Sequence, residues 1–248
     1  MKKIVAAAFN GETDAALASA VDEIHWLRVG QLARLLSCFG ASGVTHAIMA
    51  GQIAPTNLFD LRPDWKALLL LARLKRRNAE TVFGAIADEL ALAGVELLPA
   101  TSFLEDALAA AGVIAGSRLS RREQADVAFG FEIAKEMSRL DVGQTVVVKG
   151  GTVLAVEAFE GTNEAIKRGG ALGRKGTIVV KVSKARQDMR FDVPVIGVET
   201  VHVAAAAGVR VLGVEAQCTL LIEKEALALA AQQANITIFG AAAVVREL

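Results

Sequence analysis

In the first hundred residues the apolar positions come in short runs divided by longer amphipathic stretches, a pattern that predicts strands alternating with helices. Residues 3–9 form an apolar run stopped by Asn10-Gly11, and Thr13 and Asp14 supply cap residues for a helix reaching Val21. Residues 23–27 follow, then a helix from about 30 to 39 closed by Gly40 and Gly43, then an apolar strand over 44–49. Pro55 and Pro63 bracket a loop, helices are predicted over 65–74 and 78–92, and Gly94 ends the second before a strand over 95–98. This rhythm predicts an α/β fold class, with a Rossmann-like parallel sheet forming a nucleotide-binding domain over residues 1–100.

The pattern then changes. Residues 101–122 carry Gly112, Gly116, Arg118, Arg121 and Arg122 and read as a connection between domains. A long amphipathic helix opens at Ser120 or Arg121, its face traced by Ala125, Ala128, Phe129, Ile133, Met137 and Leu140, and it stops at Asp141-Val142-Gly143. Two alternating runs, 145–148 and 152–156, joined through Gly150-Gly151, predict a β-hairpin. Beyond it come a helix over 163–168, a strand over 177–182, a strand near Val195, a helix over 200–207, strands over 211–214 and 220–222, a helix over 224–234 and a strand over 236–239. Residues 123–248 are therefore expected as a second, catalytic α/β domain with a mixed sheet, without repeats or low-complexity segments.

Composition narrows the function classes. Hydrophobic residues make up 53% of the 248-residue chain, yet no run approaches the roughly 18 apolar residues of a spanning helix. The N-terminal lysines are followed too soon by Asn10, Glu12 and Asp14 for a signal peptide, so a cytoplasmic protein is expected. The basic and acidic residues balance at 27 each and Tyr is absent, which argues against nucleic acid as a partner. Cys38 and Cys218, far apart and in apolar surroundings, suit reduced core thiols better than a disulfide or a metal cluster. His25, His46 and His202 show no ligand spacing, and core or supporting roles are expected for them. Neither a GxGxxG nor a P-loop fingerprint occurs, which leaves a nicotinamide-dependent oxidoreductase resting on the β/α alternation alone.

Charge is concentrated locally. Residues 167–190 hold eight cations (Lys167, Arg168, Arg174, Lys175, Lys181, Lys184, Arg186 and Arg190) against one acid, Asp188. Such a run reads equally as a solvated loop or as an anion site. Just upstream, Glu160-Gly161-Thr162 joins a strand to a helix. Taken alone it is a helix cap, but Gly161 frees backbone amides to face outward, and the basic run shifts the balance toward phosphate at a helix N-terminus. At the end of the basic run Asp192 precedes an apolar strand. A lone loop aspartate usually braces a turn; one beside Gln187, Asp188 and Arg190 is expected to stay ionised, able to hold a hard divalent cation or orient a water. Gly51 and Gln52, directly after a predicted strand, stand where parallel sheets meet ligands.

Three ordered stretches resemble the LpxI family, the UDP-2,3-diacylglucosamine pyrophosphatases of lipid A biosynthesis: Leu140-Asp141-Val142-Gly143-Gln144-Thr145-Val146-Val147-Val148; Val153-Leu154-Ala155-Val156-Glu157-Ala158 with Glu160-Gly161-Thr162; and Gln187-Asp188-Met189-Arg190-Phe191-Asp192-Val193-Pro194-Val195-Ile196-Gly197. The likeness extends into the N-terminal half through Trp26, Gly30-Gln31 and Ala50-Gly51. It implies hydrolysis of UDP-2,3-diacylglucosamine to UMP and 2,3-diacylglucosamine 1-phosphate (lipid X), with Mg2+ as cofactor and ligand held between two domains of a homodimer. The family's essential aspartate falls on Asp192, with Asp188 as a second possible metal ligand; whether Asp192 holds Mg2+ or positions water stays open. Gly51, Gln52, Gln144, Glu160, Gly161, Thr162 and Gln187 are implied substrate contacts, and Arg168, Lys181 and Arg190 are the cations chosen for the pyrophosphate. An acylated substrate and the absence of a spanning run together imply peripheral contact with the inner membrane.

The resemblance carries two departures. The family opens with a strand, a glycine-rich loop and a helix, whereas this chain starts at what reads as the second strand, so one βα unit is expected to be missing. The alternative that follows is a non-catalytic UDP-sugar or lipid-binding relative. Asn163 stands where the family usually has Asp after Glu-Gly-Thr.

Overall fold

The short apolar runs of the N-terminal half do form strands, but they pair in twos. The computed structural model describes residues 3–51, 63–75, 79–184 and 188–242. It comprises two units, Met1–Ser102 with Arg190–Asp192, and Phe103–Met189 with Val193–Leu248.

In the first unit β1 (Val5–Phe9) pairs in parallel with β2 (Glu23–Leu27), from Val5↔Glu23 to Phe9↔Leu27. The segment between them is a 3-10 turn, Ala15–Ser19, whose start is capped by the Asp14 carboxylate accepting from Ala16 N at 2.8 Å. The helix expected through Val21 is reduced to this turn. Helix α1 (Leu32–Ala41) follows, then β3 (His46–Ala47), α2 (Trp65–Arg73), α3 (Ala79–Leu92) and β4 (Glu96–Leu97). Asp64 caps α2 through Ala67 N and also accepts from Ala33 N at 2.7 Å, fastening the first turns of two helices to one carboxylate.

The doubly wound sheet expected over residues 1–100 does not show as one sheet among the described residues: β1 with β2 and β3 with β4 form two separate two-stranded parallel ladders. Val44 and Met49, read as strand residues, instead pack against a core of Phe39, Ala87, Leu90, Val95 and Leu97, so the apolar run feeds a helix-dominated core more than a ladder. Leu32, Ala67 and Leu70 form a second small cluster between helices.

The second unit holds a mixed six-stranded sheet in the order β5-β12-β10-β8-β6-β7. In chain order its elements are β5 (Gly112–Ala115), α4 (Arg121–Arg139), β6 (Thr145–Lys149), β7 (Thr152–Val156), α5 (Thr162–Gly173), β8 (Thr177–Lys181), β9 (Val195–Ile196), α6 (Val198–Ala206), β10 (Val209–Glu215), β11 (Leu220–Leu221), α7 (Lys224–Gln233) and β12 (Thr237–Ala241). Strands β8, β10 and β12 run parallel; β6 opposes β8, and β5 opposes β12. β9 and β11 pair apart from this sheet.

Because β6 and β8 are covered on both faces they read as continuous apolar runs. Val146, Val148, Ile178 and Val180 meet α4, while Val147 and Val179 lie on the opposite face in the cluster that includes Ile166, Val201 and Leu227 of α5, α6 and α7. Each such buried side chain contributes roughly 1.5–3 kcal/mol relative to exposure.

Two local readings change. The buried stripe of α4 is Val127, Gly130, Phe131, Ala134 and Ser138; of the predicted stripe, Phe129 and Ile133 are half-buried and packed against this core and Met137 is half-buried, while Ala125, Ala128 and Leu140 are exposed. A Cβ on Gly130 would sit 2.7 Å from Val180 Cγ2, so close approach to the sheet selects small residues where apolarity points elsewhere. Residues 112–115, inside the stretch expected as a connection, are the edge strand β5; a Cβ on its partner Gly240 would meet Ala110 O at 1.9 Å. The hairpin forms as predicted, Gly150 and Gly151 both at positive φ, and the Asp126 carboxylate of α4 accepts from both turn amides at 2.7 and 2.8 Å.

Candidate active site

The registers of the second unit place several chain segments on one rim of its sheet. Thr145 at the start of β6 lies opposite Lys181 at the end of β8, and Val146 lies opposite Val156 at the end of β7. The carboxyl ends of β7, β8 and β10 and the amino end of β6 therefore share an edge, the one at which open α/β sheets receive ligands. Of the expected contacts, Gln144, Glu160, Gly161, Thr162, Arg168 and Lys181 are brought to this rim.

The turn from β7 into α5 is held from beneath by Glu157, a buried carboxylate. It accepts from Thr162 Oγ1 at 3.0 Å and from Gln144 N at 3.4 Å, and Thr162 Oγ1 also meets Thr145 Oγ1 at 3.3 Å. The helix-cap reading of Thr162 is corrected by this geometry. Thr162 is the first helical residue, the capping position is Gly161 at φ +86°, and no side chain caps the helix there. The first-turn amides of α5 thus retain donor capacity toward an anion.

Glu160 accepts from Ala158 N and is bridged by Arg168, whose guanidinium also donates to Val156 O at 2.7 Å. Its own backbone amide and then Arg168 hold the Glu160 carboxyl below the usual range. Arg168 acts here as a brace of the loop. Gln144 Oε1 is a buried side-chain oxygen with no hydrogen-bond partner among the described residues, at the same rim.

Sequence reasoning missed a second cluster at this edge. Glu215, buried at the end of β10, accepts from Ser183 N at 2.7 Å, Ser183 Oγ at 2.6 Å and Lys135 Nζ at 2.7 Å. Lys135 reaches from α4, also donates to Ser183 O at 3.1 Å, and lies 5.7 Å from the Phe131 ring centroid. All three polar groups of Ser183 are thereby fixed where β8 leaves the sheet. The one available signal was an acid closing the apolar run 211–214, at the carboxyl end of a strand. Burial, with the Glu215 charge adding to it, pushes the Cys218 thiol up; both cysteines are free and half-buried, a correction to the core placement expected for them.

The basic run does not converge. Lys181 donates to Val195 O at 3.0 Å and Lys184 pairs with Asp141 at the rim, whereas Lys167, Arg174 and Lys175 line a cavity of about 790 Å³ at the other end of β8. Neighbours in sequence are separated by a five-residue strand, about 16 Å long.

Gly51, Arg190 and Asp192 belong to the first unit. Gly51 follows β3 at φ +88°. Phe191 packs into the Phe39–Leu97 cluster, its ring 5.7 Å from that of Phe83, and so anchors its two neighbours. Arg190 lines a cavity of about 480 Å³ with Ala87, Ala91 and the start of β4. Asp188 and Asp192 are half-buried; Gln52 and Gln187 lie outside the described residues. The histidines are not core residues: His46 and His202 are exposed and His25 is half-buried. No group of three or more His, Cys, Asp or Glu residues suited to a metal occurs among the described residues.

Comparison with known proteins covers both halves. The model of the LpxI N-terminal domain matches residues 1–107 and that of the LpxI C-terminal domain matches residues 110–239. A UDP-2,3-diacylglucosamine pyrophosphatase LpxI of Caulobacter vibrioides is 29% identical over 223 residues, covering 86% of this chain and 80% of its own. The expectation that a first βα unit is missing finds no support in these matches, which include the LpxI N-terminal domain.

Proposed function

The chain belongs to the LpxI family, and from that premise we propose that it hydrolyses the pyrophosphate bond of UDP-2,3-diacylglucosamine, releasing UMP and 2,3-diacylglucosamine 1-phosphate for lipid A synthesis. The observation that carries the reading is the Glu157–Thr162 turn, which leaves the amino end of α5 without a side-chain cap at the rim where β7, β8 and β10 of the mixed sheet end. Such an end supplies amides and a positive dipole to a phosphate group. Lys181 adds positive charge at the same rim, and Arg168 keeps the turn in shape through Glu160.

In this reading water attacks one phosphorus, the bridging P–O bond breaks, and the proton lost by the water is taken up at Asp192 or by solvent. Asp192 either orients that water or holds a metal. Mg2+ belongs to the same reading: the Asp192 carboxylate offers hard oxygens, and Mg2+ is commonly held by one or two carboxylates plus substrate phosphate. When bound it would supply charge neutralisation at the phosphate oxygens. A cytoplasmic homodimer belongs to the same reading; no described helix is long and apolar enough to cross a membrane.

The test is UMP release from the detergent-dispersed substrate with Mg2+. Asp192→Ala should lower kcat by roughly 10²–10⁴-fold with Tm unchanged. Full activity of that variant, or no UMP from the wild-type chain, overturns the reading.

A further inference from the structure

Helix α2 is apolar on two faces and covered on one. Ala67 and Leu70 are buried, with Leu71 and Leu74 packed beside them. On the other side Trp65, Leu68 and Leu69 are 65%, 54% and 51% exposed, and Ala72 is exposed with them. At 100° per residue these four positions span one contiguous arc of about 100°. Among the described residues the other large exposed apolar side chains stand singly or in short sequence pairs; only α2 presents three at i, i+3 and i+4. A helix apolar all round is ordinarily buried, so this face calls for an occupant.

The flanking chemistry selects which. Arg73 borders the apolar arc and Lys75 follows the helix, both exposed, while the one other cation of the helix, Lys66, is paired with Glu89 at 2.8 Å. A tryptophan and leucines on one face, bordered by arginine and lysine, is the composition of a helix lying in a bilayer interface, with the indole at headgroup level and the cations on anionic lipid. A second copy fits less well. The face is only about 14 Å long, so a two-fold contact through it would bring two basic rims within about a Debye length of each other.

We propose that the exposed face of α2, formed by Trp65, Leu68, Leu69 and Ala72 with Arg73 and Lys75, docks the protein on an anionic phospholipid surface. This locates the peripheral membrane contact expected from an acylated substrate, but it stands on the helix and does not depend on the hydrolase reading. Trp65 enters the interface with the leucines, and the two cations make attachment weaken as salt rises.

Co-sedimentation of the full chain with vesicles tests it. Phosphatidylglycerol–phosphatidylcholine vesicles should bind the protein at least tenfold better than phosphatidylcholine alone, and 0.5 M salt should remove most of that difference. W65S/L68S/L69S and R73Q/K75Q should each lower binding at least tenfold, while Tm and UMP release from detergent-dispersed substrate stay at wild-type values. In a W26F chain, whose remaining tryptophan is Trp65, emission should shift to the blue on adding anionic vesicles. Failure of the wild type to bind, or binding untouched by the triple variant, overturns the proposal. So does a triple variant that dissociates a dimer in sedimentation while vesicle binding is unchanged, which would assign the face to a second copy.

Discussion

In the second unit β6, β8, β10 and β12 are buried along nearly their whole length within a six-stranded sheet, whereas in the first unit the described strands pair only in twos and most ladder positions stay half-buried. The wide sheet supports itself: two helical layers cover it, and the Glu215 charge is tolerated within it because Lys135 and Ser183 donate to it. The first unit depends on contacts among α1, α2 and α3, on one carboxylate capping two helices, and on Phe191, supplied from far along the sequence. The same overall proportion of apolar residues therefore yields one unit organised by strand pairing and another organised by helix packing.

That contrast is open to direct attack. Native-state hydrogen exchange should show amides of β8, β10 and β12 opening only with global unfolding, and those of β1–β4 opening at free energies several kcal/mol lower. Equal protection in the two units would end the comparison. Glu215→Ala leaves Lys135 and the Ser183 amide without their acceptor, and should cost about 3 kcal/mol in urea unfolding. Removing the Glu215 charge should also make Cys218 react faster with iodoacetamide, since that charge helps hold the thiol protonated. Gly143→Ala puts a Cβ 2.0 Å from Glu157 O, so the β7–α5 turn must shift; a stability loss of about 2 kcal/mol with a larger fall in UMP release is expected. In the first unit Phe191→Ala removes a half-buried ring and should cost only about 1–2 kcal/mol, yet lower kcat more than Tm suggests, because Arg190 and Asp192 lose their anchor.

The smallest effect is set by pH. Hydrogen bonds from Lys3, then from Ser42 and His25, pull the Glu23 carboxyl from 4.5 to about 2. A depressed folded-state value means its contribution is complete above pH 4.5 and is lost as pH falls toward 2. Glu23→Gln should flatten that part of the stability profile, and an unchanged acid limb would show that the cluster of Lys3, Glu23, His25 and Ser42 does not contribute.

What was legible in the sequence follows from how local its cause is. The Gly150-Gly151 hairpin, the Ser120 start of α4 and the buried strands of the second unit could be read because turn chemistry, a capping box and continuous apolar runs act within a few residues. The face of α4 was legible only in part: Phe129 and Ile133 pack against the core as read, but Gly130, Ala134 and Ser138 are selected by proximity to the sheet. β5 was hidden because four residues gain their meaning only from pairing with β12, more than a hundred positions later. At the candidate site, the Glu160–Thr162 turn was visible as a motif, but Lys135, Ser183 and Glu215 meet across 32 to 80 residues. The basic run misled for the converse reason: a strand carries adjacent charges to opposite ends of the sheet.

The three residues Arg190–Asp192 have a genealogical consequence. The chain passes from one unit to the other after Ser102, returns at Arg190 and leaves again after Asp192, so no single cut divides the gene into two cassettes that each encode a whole unit. A recombination exchanging the C-terminal half alone would import a foreign Phe191 into a resident pocket. Residue 191 and that pocket must stay matched in any such exchange, because an aromatic ring from one half of the sequence packs on a core built by the other.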